Sequence, residues 1–205
     1  MSDLKGGLVV VVPARGLAGA KTRLAAALSP EARASLTERM LGRVVRVALA
    51  AEVAAAVLVV SPDQAALDVA SRVDRRVVPL PQDVTMPGLN PALEQARTWA
   101  RQRGAAAMLV LFGDLPLLTA NDLQALGWAD APVVLAPDRH GRGTNALLVR
   151  LGHGDPQAEF RFQFGAGSLE AHFAEAARLG LETVTVISSG IAFDLDTPED
   201  WWRLI

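Results

Sequence analysis

Three aspartates lie where apolar, strand-forming segments of the sequence end. Asp114 follows the apolar run 107–112, and Asp194 and Asp196 lie two positions apart in "AFDLDTPED". In an extended segment, residues two apart project to the same face, so these two carboxylates would repel each other unless a cation lay between them. Mg²⁺ prefers carboxylate oxygens as ligands. The three aspartates therefore predict a Mg²⁺ site, although each could instead be a turn or helix-cap residue.

A cationic loop that contains glycine follows the first apolar run. The segment "PARGLAGAKTRL" (13–24) carries Arg15, Lys21 and Arg23, with Gly16 among them. It matches neither G-x-x-x-x-G-K-[ST] nor G-x-G-x-x-G, so the sequence lacks the P-loop and the usual dinucleotide fingerprint at this position. Backbone amides in such a loop can wrap a triphosphate while the cations neutralise its charge. We interpret it as a triphosphate-binding loop, and the alternative is a solvated loop with surface cations.

A second candidate anion site precedes a predicted helix. In "FGAGSLEAHF" (164–173), Gly165 and Ser168 lead into a helix whose free amides and dipole would favour an anion. Thr144, which follows "HGRG", could add a hydroxyl group. A plain serine N-cap after a glycine turn explains the same residues, and the residues by themselves favour that interpretation.

The composition excludes several classes of protein. The chain has 205 residues, no cysteine and a formal net charge of −2, which argues against disulfides, thiolate metal sites and general nucleic-acid binding. No apolar run reaches the length of a membrane span, and "MSDLKGG" lacks the pattern of a secretory signal. We therefore expect one domain over residues 1–205 of a cytoplasmic protein, with no nucleic-acid or membrane partner. His140, His153 and His172 lack partners at ligand spacing, so surface or core roles are expected for them.

Strand-forming and helical segments alternate, which is typical of an α/β fold with a mostly parallel sheet. Strands are predicted at 8–12, 56–61, 76–80, 107–112, 132–137, 144–150 and 182–188. Helices are predicted from Ser29-Pro30, from a Ser61-to-Gln64 capping box, at about 89–103, from Thr119, at 168–179 and from Thr197. The 132–137 and 144–150 pair could be antiparallel, which would make the sheet mixed. Ligands should bind beyond the carboxyl ends of the strands, where the candidate residues lie.

Six motifs occur in an order that resembles a known family. They are the P-x-R…K-T-R-L loop, "GLNPALEQA" (88–96), "GDLPLL" (113–118), "DRHGRGTNALL" (138–148), "FGAGS" (164–168) and "FDLDTPED" (193–200). Over nearly the whole chain they resemble the phosphoenolpyruvate or 2-phospho-L-lactate guanylyltransferases of coenzyme F-420 biosynthesis. "GDLP" and D-x-D-T-P-x-D are shared with wider nucleotidyltransferases, whereas "GTNALL" followed by FG-x-GS is more specific.

The resemblance implies a single Rossmann-like, glycosyltransferase-A-like nucleotidyltransferase domain with a mixed, mostly parallel sheet flanked by helices. It implies transfer of GMP from GTP to a small three-carbon phosphorylated acid, with release of pyrophosphate. The implied Mg²⁺ ligands are Asp114, Asp194 and Asp196. The implied residues for binding phosphoenolpyruvate are Thr144, Gly165 and Ser168. The implied GTP-binding residues are Arg15, Gly16, Lys21, Arg23, Gly88 and Asn90.

The implied reaction depends on charge more than on proton transfer. The acceptor phosphate, with a second pKa of about 6, is largely ionised at neutral pH and can attack without a general base. Lys21 and Arg15, which would counter charge as pyrophosphate leaves, and the metal ligand Asp114 are therefore the catalytic candidates. The Ala- and Arg-rich composition suggests a bacterium with a GC-rich genome, for which we expect phosphoenolpyruvate as acceptor. The product would pass to the next transferase of the pathway.

Three alternative hypotheses remain open at this point. The acceptor could be 2-phospho-L-lactate, or the protein could be a guanylyl- or cytidylyltransferase for another acceptor, such as those of molybdenum-cofactor synthesis. It could also be a non-catalytic GTP-binding protein, although such a protein has less need of three aspartates beside a cationic loop. The segment 151–163 is longer than the resemblance leads us to expect, which leaves the shape of the acid pocket open.

Overall fold

Seven strands form one mixed sheet in the computed structural model, which describes residues 4–152 and 159–204. In chain order the strands are β1 Leu8–Pro13, β2 Ala54–Ser61, β3 Val77–Pro81, β4 Ala107–Leu111, β5 Val133–Pro137, β6 Thr144–Arg150 and β7 Thr183–Thr185. Their order across the sheet is β3-β2-β1-β4-β6-β5-β7. Of the described strands, β6 alone runs antiparallel to its neighbours, β4 and β5. The prediction of a mixed, mostly parallel sheet is confirmed.

Seven α-helices accompany the sheet within the described residues. They are α1 Pro30–Ala50, α2 Gln64–Val73, α3 Leu89–Arg101, α4 Ala120–Trp128, α5 Ser168–Arg178, α6 Ser189–Ala192 and α7 Pro198–Leu204, with a 3-10 helix at Thr22–Ala26. The short helix α6 was not predicted, and β7 occupies only the middle of the predicted strand 182–188. Part of the predicted long segment 151–163, including His153, lies outside the described residues. None of the described helices combines the length and the apolarity that crossing a membrane requires.

Capping residues fix where most of the helices begin. The Ser29 hydroxyl accepts a hydrogen bond from the Ala32 amide at the start of α1, and Thr119 forms a capping box with Asp122 at the start of α4. The predicted capping box from Ser61 is wrong, because Asp63 is the N-cap of α2. Ser61 ends β2, and its hydroxyl accepts from the Asp63 amide.

Strand β1 is buried on both faces, as its continuous run of valines predicts. Val10 and Val12 pack into the apolar core on the side of α1, α2 and α4. Val9 and Val11 pack into the core on the opposite side, which contains residues of α3 and α5. Two cores therefore hold the sheet from its two faces.

The chain changes direction across the sheet between β1 and β4. From β1 it moves outward through β2 to β3, and it then returns to place β4 against the other side of β1. All four strands are parallel, so their carboxyl ends lie at the same edge. In open α/β sheets such a switch point leaves a crevice in which ligands bind. The fold thus brings the loops after β1 and β4 together.

Candidate active site

A cavity of about 770 Å³ lies at this edge of the sheet. Its walls come from the loops after β1, β2, β3 and β4, from α1, from the first turn of α3 and from Asp196 before α7. Its volume lies within the range that ligand sites of small molecules and cofactors show. The predicted site residues on its walls are Arg15, Gly16, Lys21, Arg23, Gly88, Asp114 and Asp196.

Lys21 joins the two ends of the chain inside this cavity. Its ammonium donates to Asp114 Oδ2 and to Asp196 Oδ1, both at 2.6 Å, and only 10% of its side chain is exposed. The backbone of Lys21 is left-handed, with φ of 53°. This conformation costs a non-glycine residue of the order of 1 kcal/mol or more, so it persists only where surrounding contacts require it. Here the two carboxylates supply such contacts.

The charges of this group act strongly on one another. Burial disfavours the charged form of Lys21, but the carboxylates of Asp114 and Asp196 outweigh it and raise its pKa above the usual value. Burial raises the pKa of Asp194, and the negative charges of Asp196 and Asp114 add to that rise. The three predicted aspartates therefore lie close enough to interact, even though Asp194 does not line the cavity.

The carboxylates also leave lone pairs that fit a cation. Asp114 Oδ1 and Asp194 Oδ1 are buried and receive no hydrogen bond from the described residues. Asp114 and Asp196 share the single ammonium of Lys21, so these three side chains together keep a negative charge beside the cavity. Within the described residues, no three acidic or histidine side chains stand arranged to enclose a metal by themselves. Mg²⁺ is commonly held by one or two carboxylates together with substrate phosphates, so the residues fit it as ligands completed by a nucleotide.

Arg15 and Arg23 stand on the cavity wall with exposed side chains. Neither forms an ion pair with another described residue. Both guanidinium groups are therefore free to meet an anion that enters the cavity, in contrast to the ammonium of Lys21.

Asp63 positions the cationic loop, a role that the sequence did not reveal. Its Oδ2 accepts from the Leu17 amide at 2.8 Å, while its Oδ1 caps α2 by accepting from Ala65 at 3.0 Å. Gly16 lies close beside it, and a Cβ there would lie 3.2 Å from Asp63 Oδ2, a tight contact that would require the Asp63 side chain to shift. The sequence Ser61-Pro62-Asp63-Gln64 indicated a helix cap, but it did not indicate the contact of Asp63 with the Leu17 amide.

The segment that carries Asp194 and Asp196 is an irregular connection between α6 and α7, not the extended strand considered from the sequence. Arg139 supports it with an ion pair to Asp200 at 2.5 Å, and its guanidinium lies 5.0 Å from the centre of the Phe193 ring. Asp200 Oδ2 in turn accepts from the amides of Asp196 and Thr197 at 3.0 and 2.8 Å. These contacts orient the carboxylates, and no pattern in the sequence indicated this role of Arg139.

Thr144, Ser168 and His172 form a buried group that we call the hydroxyl cluster. Ser168 Oγ accepts from the Thr144 amide at 3.0 Å, and Thr144 Oγ1 lies 3.0 Å from His172 Nδ1. Ser168 is not the N-cap of α5, because Gly167 has that position and the serine hydroxyl faces β6 instead. The cluster does not line the cavity, so the prediction that Thr144 and Ser168 bind the acid stays a prediction.

Phe112 and Phe164 connect the cavity with the hydroxyl cluster, and Asn90 holds Phe164 in place. The Asn90 side chain donates to the Phe164 carbonyl at 3.1 Å and accepts from the Phe164 amide at 2.9 Å, so it clamps the turn before α5 and does not line the cavity. Phe112 lines the cavity and packs edge-on against Phe164, with ring centres 5.3 Å apart. Gly165 follows with φ of +148°, and a Cβ there would meet no atom within 4 Å.

Two solved structures are similar to this chain over almost its full length. The structure of a protein described as a nucleotide-diphospho-sugar transferase, from Desulfovibrio desulfuricans G20, has a TM-score of 0.76 at 15% identity, covering 100% of this chain and 87% of that chain. A nucleotidyl transferase from Methanothermobacter has a TM-score of 0.66 at 18% identity, covering 97% and 95%. The fold is therefore that of the nucleotidyltransferases, as predicted.

The particular family follows from the sequence itself. Residues 8–205 match the family described as "Guanylyl transferase CofC like", and the chain belongs to that family. A curated relative from Rubrobacter xylanophilus, named phosphoenolpyruvate guanylyltransferase, is 44% identical over 197 residues, covering 95% of this chain and 91% of the relative. The resemblance inferred from the six motifs is thereby confirmed.

Proposed function

We propose that this protein transfers GMP from GTP to phosphoenolpyruvate in a Mg²⁺-dependent reaction, giving enolpyruvyl-diphospho-guanosine and pyrophosphate. The observation that carries the proposal is the contact of Lys21 with both Asp114 and Asp196 on the wall of a nucleotide-sized cavity. Membership of the guanylyltransferase family and the name of the Rubrobacter relative support the choice of guanine and of phosphoenolpyruvate. The reaction would be a step of coenzyme F-420 biosynthesis, with the product passed to a following transferase.

The transfer is a displacement at phosphorus that needs no general base. An oxygen of the acceptor phosphate forms a bond to the α-phosphorus of GTP. The bond from that phosphorus to the oxygen bridging the β-phosphate breaks, and its electron pair leaves on pyrophosphate. Because the acceptor phosphate is already ionised near neutral pH, no proton has to be moved. The work of the protein is to align the two phosphates and to balance their charge.

The cationic side chains have distinct parts in this scheme. Arg15 and Arg23, which have no ion-pair partners among the described residues, would bind the β- and γ-phosphates. Lys21 would meet the phosphates from the cavity wall while it holds Asp114 and Asp196 in place. Gly88, with φ of 114°, lets the backbone approach the nucleoside at the start of α3.

Asp114, Asp194 and Asp196 would hold Mg²⁺. The two buried carboxylate oxygens without hydrogen-bond partners support this, as does the sharing of one ammonium, that of Lys21, between Asp114 and Asp196. When bound, the ion neutralises phosphate charge and polarises the phosphorus–oxygen bonds.

The proposal is tested by incubating the protein with GTP, Mg²⁺ and phosphoenolpyruvate while pyrophosphate release is followed. Parallel reactions replace phosphoenolpyruvate with 2-phospho-L-lactate and GTP with CTP, and one reaction contains a chelator in place of Mg²⁺. We expect release with GTP and phosphoenolpyruvate, with the other combinations clearly slower and the chelated reaction inactive. A faster reaction with 2-phospho-L-lactate or CTP would contradict the substrate assignment. GTP binding without release in any reaction would contradict the enzymatic assignment.

A further inference from the structure

The hydrogen bonds around His172 permit only one neutral tautomer. The backbone amide of Gln163 donates to His172 Nε2 at 3.1 Å, so Nε2 must offer a lone pair and carry no proton. The ring proton then lies on Nδ1, which donates to Thr144 Oγ1 at 3.0 Å. The opposite tautomer would set two N–H groups against each other at Nε2.

The ring is also held neutral and fixed in place. His172 is fully buried, and burial lowers its pKa to about 4 against the opposing charge of Glu175. Phe164 packs edge-on against the imidazole with ring centres 4.6 Å apart, and Phe160 lies 5.8 Å away. At neutral pH the imidazole therefore presents a single donor, in a fixed direction, to Thr144.

The tautomer determines what Thr144 can still do. Because its oxygen accepts the proton of Nδ1, the threonine hydroxyl keeps its own proton for another acceptor. No described residue accepts it, although Thr144 is only 1% exposed. A buried donor without a partner costs free energy, so such an arrangement indicates a group that is completed by a ligand.

Ser168 shows the same arrangement beside it. Its oxygen accepts from the Thr144 amide, and none of the described residues accepts its hydroxyl proton. The turn that begins at Gly165 lies directly beside this serine, because the Ser168 amide donates to the Gly165 carbonyl at 3.2 Å, and a Cβ on Gly165 would point into open space. Two hydroxyl groups with unused protons thus lie side by side next to an open turn.

We propose that His172 is a positioning residue that fixes the Thr144 hydroxyl as a hydrogen-bond donor to an oxygen of the phosphorylated acid. The proposal rests on the proposed function, which supplies the anionic ligand. His172 itself does not touch the acid: it acts through Thr144, while Ser168 is set as the second donor by the Thr144 amide. A neutral pair of donors suits a ligand whose oxygens are already ionised and can only accept.

Two substitutions separate this role from simple packing. In His172→Asn the amide nitrogen is attached to Cγ, as Nδ1 is, so it can still donate to Thr144. In His172→Gln the amide is one carbon further out, so it can replace Nε2 toward Gln163 but loses the donor to Thr144. We expect KM for phosphoenolpyruvate to rise about tenfold in His172→Gln and less than threefold in His172→Asn, with KM for GTP unchanged in both. Equal effects, or the reverse order, would overturn the proposal.

The tautomer can be read in the unmodified protein as well. Nitrogen-15 NMR of the histidine side chains should show His172 Nδ1 protonated and Nε2 unprotonated at pH 7, which requires no variant to fold. A protonated Nε2 would overturn the proposal. Wild-type protein that releases no pyrophosphate with phosphoenolpyruvate would instead contradict the proposed function. Wild-type turnover with equal or reversed variant effects would contradict the role of His172 alone.

Discussion

The cavity wall around Lys21 and the hydroxyl cluster around His172 are built from opposite kinds of polar group. The first is made of full charges, with one ammonium between two carboxylates and two exposed guanidinium groups nearby. The second is buried and neutral, and its polar atoms are set by tautomer and by backbone amides. Charges suit a triphosphate whose charge changes during the reaction, whereas oriented neutral donors suit a smaller anion that must be held in one position. The comparison predicts different responses to substitution, pH and salt on the two sides.

The largest effect should follow the loss of a carboxylate on the charged side. Asp114→Asn removes a partner of Lys21 and a proposed Mg²⁺ ligand, and we expect kcat/KM to fall about 100- to 1,000-fold. Pyrophosphate release measured over a range of Mg²⁺ concentrations checks this, and the remaining activity should need more Mg²⁺. Asp130→Asn, at an exposed aspartate that does not line the cavity, is the matched control. Full activity in Asp114→Asn would contradict the claim that the charged groups around Lys21 are needed for the reaction.

The hydroxyl cluster should affect how the free energy of unfolding depends on pH, rather than how activity depends on salt. The pKa of His172 is about 4 in the folded protein and near 6.5 when unfolded, so the unfolded chain binds the proton first as pH falls. Stability from this residue is therefore complete above about pH 6.5 and is lost between pH 6.5 and pH 4. The loss should be of the order of 2–3 kcal/mol.

Urea unfolding of the wild type and of His172→Asn at pH 7.5 and at pH 4.5 isolates this contribution. The wild type should lose more stability than the variant, because other titrating groups are common to both. An equal loss in the two proteins would show that His172 is already accessible to protons, against the buried and neutral character of the hydroxyl cluster.

A smaller effect is expected from the exposed cations. Arg15→Ala should raise KM for GTP about tenfold at low salt while leaving KM for phosphoenolpyruvate unchanged. The difference should shrink in 0.5 M salt, since exposed charges are screened over roughly 10 Å or less. Arg75→Ala, at an exposed arginine away from the cavity, should change neither constant. An effect of Arg15→Ala that does not depend on salt would contradict the exposed position of the Arg15 side chain.

The smallest effect should come from Asp63, which only positions the cationic loop. Asp63→Ala removes the contact to Leu17 and the cap of α2, and we expect about 1 kcal/mol lower stability with a threefold rise in KM for GTP. Asp63→Ser can keep the cap but is too short to reach Leu17 as well. It should recover the stability without recovering KM, as measured by urea unfolding and steady-state kinetics. Joint recovery of both quantities would show that the loop contact has no part in GTP binding.

Local sequence patterns were sufficient for most of the fold. The continuous apolar run at 8–12, the Ser29-Pro30 start of α1 and the Thr119 cap depend on neighbours in the chain, and all three predictions are confirmed. Local patterns were wrong where a side chain found a distant partner. Ser168 looked like an N-cap, but its hydroxyl bonds to the Thr144 amide on β6, which lies 24 positions away.

For the site, the sequence determined which charged side chains follow each strand. This order along the chain is the same whatever conformation the loops adopt. The sequence therefore predicted that Arg15, Lys21, Asp114 and Asp196 belong to one site. Only the tertiary structure decided how they pair. Lys21 contacts residues 93 and 175 positions away, and no periodicity or cap signal extends over such separations.

The same distinction separates the two sides of the protein. The charges of the cavity wall could be read from the sequence, because charge belongs to the residue type. The donor character of the hydroxyl cluster could not, because it depends on which nitrogen of His172 carries the proton. That choice is made by the Gln163 amide, which the turn before α5 carries to Nε2 only when the chain is folded. Residue chemistry was therefore fixed by the sequence, and hydrogen-bond direction by the tertiary structure.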